Sequence, residues 1–126
     1  MPLTVTIGLS LLTLAVLAAQ APGTARQPED RFVTSDGLRI HYLDWGNPSA
    51  PPFVMLHGID RIARTFDHVA PHFTDRYHVI AMDLRGHGDS ETTFATHGDV
   101  VTGQDLIAIV EHLGGAPAVL GGNSMG

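Results

Sequence analysis

The chain of 126 residues contains no cysteine and no lysine. Without cysteine there is no disulfide framework, no thiolate metal site and no cysteine nucleophile. The compartment stays open, because oxidising compartments permit disulfides without requiring them. Positive charge is scarce: seven arginines stand against thirteen carboxylates, the formal charge is -6, and no basic run occurs. That excludes a nucleic-acid partner, since phosphate affinity needs clustered positive charge. Charge of either sign is missing from Pro2 to Ala25, and Arg26 is the first charged side chain.

The uncharged opening carries an apolar run, Ile7–Ala19, and then small residues in Ala19-Gln20-Ala21 and Gly23-Thr24-Ala25. An apolar core ahead of A-x-A-like sites is the layout of a secretory signal. Two features depart from it: no Lys or Arg precedes the apolar run, and Pro22 follows the best cleavage site. The rival readings are a start codon placed too early and an uncleaved anchor, which needs roughly 17–25 apolar residues; Leu3–Ala19 only just reaches that length. Residues 1–25 are therefore expected to be a signal peptide or N-terminal anchor outside the fold. A secreted or periplasmic protein follows, with a membrane-anchored or cytoplasmic one as the alternative. Membrane contact is expected only if the segment remains as an anchor.

From residue 26 onward the composition is that of one globular domain. Arg31–Thr34 and Leu38–Trp45 flank Ser35-Asp36-Gly37, and a D-G turn between such runs is a hairpin signal. In the second run Leu38, Ile40 and Tyr42 alternate with Arg39 and His41. Gly46–Pro52 is a breaker cluster and reads as loop. Phe53–Leu56 is continuously apolar, as a strand buried on both faces would be. Ile62, Phe66, Val69 and Phe73 recur at helical spacing over 61–73, with Pro71 near the end. Tyr77–Met82 reads as another buried strand, and Asp83–Ser90 as a turn-rich loop. Val100, Leu106, Ile109, Val110 and Leu113 predict a helix from Asp99, stopped by Gly114-Gly115. Ala116–Leu120 reads as a last short strand. The order is a hairpin, then β-α-β-α-β, which argues for an α/β fold with a parallel sheet covered on both faces.

In such sheets chemistry sits at the carboxyl ends of the strands. There the sequence places His57-Gly58-Ile59-Asp60, then Asp83-Leu84-Arg85-Gly86-His87-Gly88-Asp89-Ser90, then Gly121-Gly122-Asn123-Ser124-Met125-Gly126. Gly122-x-Ser124-x-Gly126 is the nucleophile-elbow pattern. A nucleophile on so sharp a strand-to-helix turn brings neighbouring backbones together, so glycine is wanted two residues either side. With 14 glycines in the chain, such a pattern arises by chance in roughly one chain in ten at ordinary serine usage. Its place after a buried strand, together with the earlier His-Gly, makes the combination specific.

These three segments resemble the N-terminal half of an α/β-hydrolase-fold enzyme of the esterase, lipase and epoxide-hydrolase type, over roughly residues 29–126. The resemblance implies a partial α/β-hydrolase sheet ending at the nucleophile elbow. It implies Ser124 as a nucleophile that attacks an acyl carbonyl and forms an acyl-enzyme. It implies that the backbone N–H groups of Ile59 and Met125 form the oxyanion hole. Members that open epoxides or displace halide carry Asp at the elbow, so Ser points to ester cleavage, with amide, lactone or carbon–carbon bonds as alternatives.

In the family His57 steadies the oxyanion loop and the catalytic histidine comes late. The chain order is Ser, then acid, then His, so Asp83 and Asp89 stand on the wrong side of Ser124 to be the triad acid. His87 belongs to the turn loop and reads as structural. His41, His68, His72, His78, His97 and His112 are scattered. His68 and His72 have metal-ligand spacing but no third ligand, so no metal site is expected. The resemblance implies no cofactor and a small-molecule acyl substrate; the oligomeric state is not legible. Acid and base would follow residue 126, so residues 26–126 read as a truncated and by itself inactive portion of a serine hydrolase. A non-catalytic binding protein on the same fold is the alternative.

If the signal reading holds, N-terminal sequencing of exported protein will start within or just after Ala19–Ala25; intact Met1 on a soluble protein would refute it.

Overall fold

The structure, a computed structural model, describes residues 26–93 and 98–126. The segment read as signal or anchor, 1–25, and His97 lie outside the described residues.

The first two strands, β1 (Glu29–Ser35) and β2 (Leu38–Asp44), form the expected hairpin. Ser35 stands opposite Leu38, leaving two loop residues. Both take left-handed conformations, Asp36 at φ 49° and Gly37 at φ 77°. Paired positive φ values suit the right-handed strand twist, and Asp-Gly suits them.

Three further strands follow: β3 (Pro52–Leu56), β4 (His78–Met82) and β5 (Val119–Gly122). The sheet order is β1-β2-β4-β3-β5. β2 pairs antiparallel with both β1 and β4, and β3 pairs parallel with both β4 and β5. The expected α/β sheet is thus mixed, a parallel trio extended by the hairpin. β5 starts later than expected and runs into its glycines; Pro117, inside the expected strand, has no N–H to give a ladder.

Side chains alternate between two cores, as a period of two requires. Ile40, Tyr42, Val54, Leu56, Ile80 and Met82 pack with Leu84 and Ile109 on one face. Leu43, Met55, Val79 and Ala81 pack with Trp45, Ala63 and Ala70 on the other. The alternation along β2 does not divide a buried face from an exposed one. His41 and Leu43 are buried along with Ile40 and Tyr42, because β2 is an inner strand covered on both faces.

The helix expected over 61–73 is also corrected. Two short 3-10 turns replace it, Ala63–Phe66 and Ala70–Phe73. Their bonds span three residues, as from Thr65 N–H to the Ile62 carbonyl (2.9 Å) and from His72 N–H to the Val69 carbonyl (3.1 Å). Ala63 and Ala70 face the sheet, while Ile62 and Val69 are 43% and 46% exposed. The small alanines let this backbone lie close to the sheet, and the Ala63 N–H is tied to Asp83 Oδ1 at 2.6 Å.

The second helix forms as expected: α1 spans Asp99–His112. Gly114 N–H donates to the Glu111 carbonyl and Gly115 N–H to the Val110 carbonyl, the paired bonds of a Schellman stop. Leu106, Val110 and Leu113 pack around Ile109. Val100, included in the predicted face, is 78% exposed. Nine residues at about 100° each place it half a turn from Ile109. Among the described residues no helix is long and apolar enough to cross a membrane.

Ile80 is fully buried in the centre of the sheet. Ile80→Ala is expected to cost about 2–5 kcal/mol, read as a lower denaturant midpoint with an unchanged slope.

Candidate active site

Leu56 pairs with Met82 on one side and with Gly122 on the other. The three parallel strands therefore end level, and the segments beginning at His57, Asp83 and Asn123 leave one edge of the sheet together. In an open α/β sheet this edge is where ligands bind.

The turn after β5 is tight. Asn123 N–H donates to the Leu56 carbonyl at 3.2 Å, and Gly126 N–H donates back to the Asn123 carbonyl at 3.1 Å. Ser124 lies inside this turn at φ 60° and is exposed. A left-handed non-glycine residue costs roughly 1–2 kcal/mol, and such strain clusters at functional sites. A Cβ at Gly122 would collide with the backbone of Gly126, and one at Gly126 with the Leu56 carbonyl. The crowding expected around the elbow is present at both glycines.

The loop after β3 lies against this turn. A Cβ built at Gly58 would stand 3.1 Å from Ser124 Cβ and 3.1 Å from the Asn123 carbonyl oxygen. Ile59 follows Gly58, and Met125 follows Ser124. Among the described residues, the backbone N–H groups of Ile59 and Met125 donate to no acceptor. The three residues singled out in the sequence, Ser124, Ile59 and Met125, thus lie on two adjoining segments, the turn after β5 and the loop after β3. No histidine or carboxylate among the described residues hydrogen-bonds Ser124.

His57 is fully buried beside them. Its Nε2 accepts the Leu84 N–H at 3.0 Å, so Nδ1 carries the proton and donates to the Gly58 carbonyl at 2.8 Å. Burial, reinforced by the nearby His87, pushes its pKa below the usual histidine value, against the opposing pull of the Gly58 carbonyl and Asp83. Both nitrogens are committed, so His57 is a neutral brace between two loops and not a base for Ser124. His87, the other loop histidine, is bonded through Nδ1 to the Arg85 carbonyl at 3.1 Å.

Asp83 does more than the sequence disclosed. Its carboxylate is buried, with Oδ1 accepting the Ala63 N–H (2.6 Å) and Oδ2 accepting the Asp89 N–H (3.0 Å) and His41 Nδ1–H (2.7 Å). Burial alone would raise its pKa; these three bonds outweigh that and hold it below the ordinary aspartate value. His41 Nε2 meets Asp30 Oδ1 at 2.9 Å. Burial would lower the His41 pKa, but the Asp83 and Asp30 carboxylates raise it above the usual value. Ser90 completes the lock, accepting the His41 N–H and donating to the Asp83 carbonyl. Further along, Arg85 makes two parallel bonds to the fully buried Asp105 on α1, at 2.8 and 2.9 Å. No local signal pairs residues twenty apart, and His41 stood in the sequence only as one of the scattered histidines.

Asp30, His41 and Asp89 bring three potential ligand atoms within 4.8 Å of one another. His41 Nε2 is already bonded to Asp30, and Arg64 Nη2 stands 3.9 Å from the same oxygen. A guanidinium there repels a cation, so the cluster is an ion-pair network. His68 and His72 are exposed.

Comparison with known proteins agrees with this geometry. Residues 53–126, more than half of the chain, match the alpha/beta hydrolase family. Epoxide hydrolase A of Mycobacterium tuberculosis is 31% identical over 79% of this chain and 32% of its own length. The bifunctional esterase/perhydrolase DCH of Acinetobacter calcoaceticus is 36% identical over 74% of this chain and 34% of its own. A bacterial membrane phospholipase A of known structure superposes with a TM-score of 0.74 at 31% identity, over 81% of this chain and 33% of its own. The chain thus spans about a third of the length of these relatives.

The two buried histidines carry opposite pH signatures. The His41 contribution is fully present below about pH 6.5 and is lost as pH rises through its raised folded value. His57, depressed in the fold, costs stability as pH falls below about 6.5. In thermal melts between pH 5 and pH 9, His41→Asn is expected to flatten the alkaline-side decline while the acid-side decline persists. Leaving Asp83 short of a donor should also lower stability by about 1–3 kcal/mol throughout.

Proposed function

Because the chain belongs to the alpha/beta hydrolase family, we propose that it is the nucleophile-bearing part of a serine hydrolase that cleaves carboxylic esters through an acyl-enzyme on Ser124. The observation that carries this reading is the exposed, left-handed Ser124 standing against Gly58, with the free N–H groups of Ile59 and Met125 in the two adjoining positions.

In this mechanism the Ser124 Oγ attacks the ester carbonyl carbon as its proton passes to a base. The carbonyl π pair moves onto oxygen, where the N–H groups of Ile59 and Met125 meet the charge. Removing one such donor typically costs 10²–10³ in rate. Collapse expels the alcohol, protonated by the same base, and leaves the acyl group on Ser124; water then releases the acid. The base is not His57, whose nitrogens are both engaged. By the chain order of this fold, acid and base follow the nucleophile in sequence, so Asp83 and Asp89 are neither. No step calls for a cofactor.

A hydroxyl at the elbow favours acyl chemistry over epoxide opening. A hydroxyl is a weak nucleophile until a base removes its proton, and the paired N–H groups suit an oxygen that gains charge within a planar carbonyl. The esterase and phospholipase names among the relatives fit this choice; the epoxide hydrolase name belongs to a protein of the same family with a different reaction. Export through the N-terminal segment is part of the same proposal.

Protein expressed from its full reading frame should react with a fluorophosphonate probe, and Ser124→Ala should abolish the labelling while the melting temperature stays close to wild type. Well-folded wild-type protein that takes up no probe would overturn the reading and return the chain to the non-catalytic alternative.

A further inference from the structure

Tyr42 is 1% exposed, yet among the described residues its hydroxyl makes no hydrogen bond. The ring is sealed into the core, while the oxygen opens on a cavity of about 430 Å³. Register explains the lining. Arg31 stands opposite Tyr42 and Glu29 opposite Asp44, so all four share one face of the hairpin. α1 ends over that face, where His112, its last residue, meets the Tyr42 ring edge-on at 6.5 Å. β1 and β5 are opposite edges of the sheet, so this cavity is remote from Ser124.

We propose that this cavity binds a small molecule that carries a carboxylate on an apolar body. The inference stands apart from the serine-hydrolase reading. What the lining has to spare is donors. Glu29 and Asp44 are already engaged: Arg31 pairs with both, and Asp44 also accepts the Gly46 N–H and the His78 Nε2–H. Arg26 pairs with no carboxylate among the described residues. Its guanidinium is seated on Gly46, at φ 86°, where a Cβ would collide with it. A guanidinium fork matches the two oxygens of a carboxylate. Tyr42 adds an O–H: burial first, and Asp44 next, push its pKa above the ordinary tyrosine value against the pull of Arg31, so the proton stays on. Neither ring nitrogen of His112 is hydrogen-bonded among the described residues. The end of α1 does not oppose an anion strongly, because the Ile109, Val110 and Glu111 carbonyls already accept the N–H groups of Leu113, Gly115 and Gly114. Pro48, Leu113 and the Tyr42 ring supply the apolar wall. At ~30 Å³ for a water-sized group, the space holds on the order of ten non-hydrogen atoms, the size of an aryl or short alkyl acid.

Isothermal titration of protein expressed from its full reading frame tests this with benzoate as the probe, and with benzyl alcohol and inorganic phosphate beside it. Benzoate should bind, and Arg26→Gln and Tyr42→Phe should each weaken it by roughly tenfold or more, as expected for a hydrogen bond to a charged group. Benzyl alcohol keeps the ring without the charge, and phosphate keeps the charge without the apolar body; both should bind more weakly than benzoate. Tyr42→Phe separates binding from structure. Its hydroxyl has no partner within the fold, so the variant should melt at or above the wild-type temperature while it loses affinity. No benzoate binding would leave the hydroxyl to water and overturn the inference. Binding that neither variant weakens would overturn it too, as would either comparison compound binding as tightly as benzoate.

Discussion

Leu56 faces Met82 across one side of β3 and Gly122 across the other, and the place of every reactive group follows from that alignment. The register is not set by short turns, since parallel strands are joined by crossovers. It is set by the two-faced core. Val54 and Leu56 belong with Ile80 and Met82, while Met55 belongs with Val79 and Ala81. A slip of one residue would exchange these sets between the faces and move β5 by about 3.3 Å along its neighbour. Asn123 would then lose the Leu56 carbonyl, and Ser124 its place against Gly58. The position of Ser124 is thus fixed by hydrocarbon packing well below it.

Level strand ends deliver three loops to one edge but do not hold them there. Buried polar groups do. Asp83 gathers the hairpin through His41, the 3-10 segment through Ala63 and its own loop through Asp89. Desolvating a carboxylate is costly, and here the cost is met by three donors, one of them the His41 ring. His57 joins the loop after β3 to the loop after β4, and Arg85–Asp105 joins that loop to α1. Most of these bonds cross between elements, so the edge of the sheet is braced laterally. A braced edge can keep Ser124 in a conformation that a lone turn would relax.

How much of this the sequence disclosed depends on the range of the interaction. The Asp36-Gly37 turn, the glycine stop after α1 and the elbow are short-range patterns, and all three stand where they were read. Ser124, Ile59 and Met125 were placed by motif; in the structure Gly58, the residue before Ile59, lies against Ser124. The helix over 61–73 failed because two of its four periodic positions, Ile62 and Val69, are turned outward by 3-10 geometry, while Phe66 and Phe73 pack on the core and a carboxylate twenty residues away ties the Ala63 N–H. Val100 failed for the opposite reason: an apolar residue within the helix span was counted on a face it does not share. His41 and Asp105 could not be found at all from spacing. A histidine alternating with apolar residues looks solvated until a second layer covers it, and a buried aspartate is legible only once its arginine is known.

Hydrogen-bonding capacity separates the two kinds of polar group at this edge. His57, His41, Asp83, Arg85 and Asp105 have theirs taken up by named partners, as burial demands; among the described buried side-chain polar atoms, only Asp67 Oδ1 lacks one. The Ile59 and Met125 N–H groups and the Ser124 hydroxyl, at the exposed end of the same assembly, are not tied up in this way. A donor already bonded to the protein would have to break that bond before meeting a developing oxyanion, and the cost would reappear in the barrier. A donor held in place by neighbours that are themselves satisfied gives its full interaction at the moment charge appears. The brace and the rim are therefore one design: the interior is saturated so that its rim need not be, and under the proposed function the rim is where an acyl carbonyl is received.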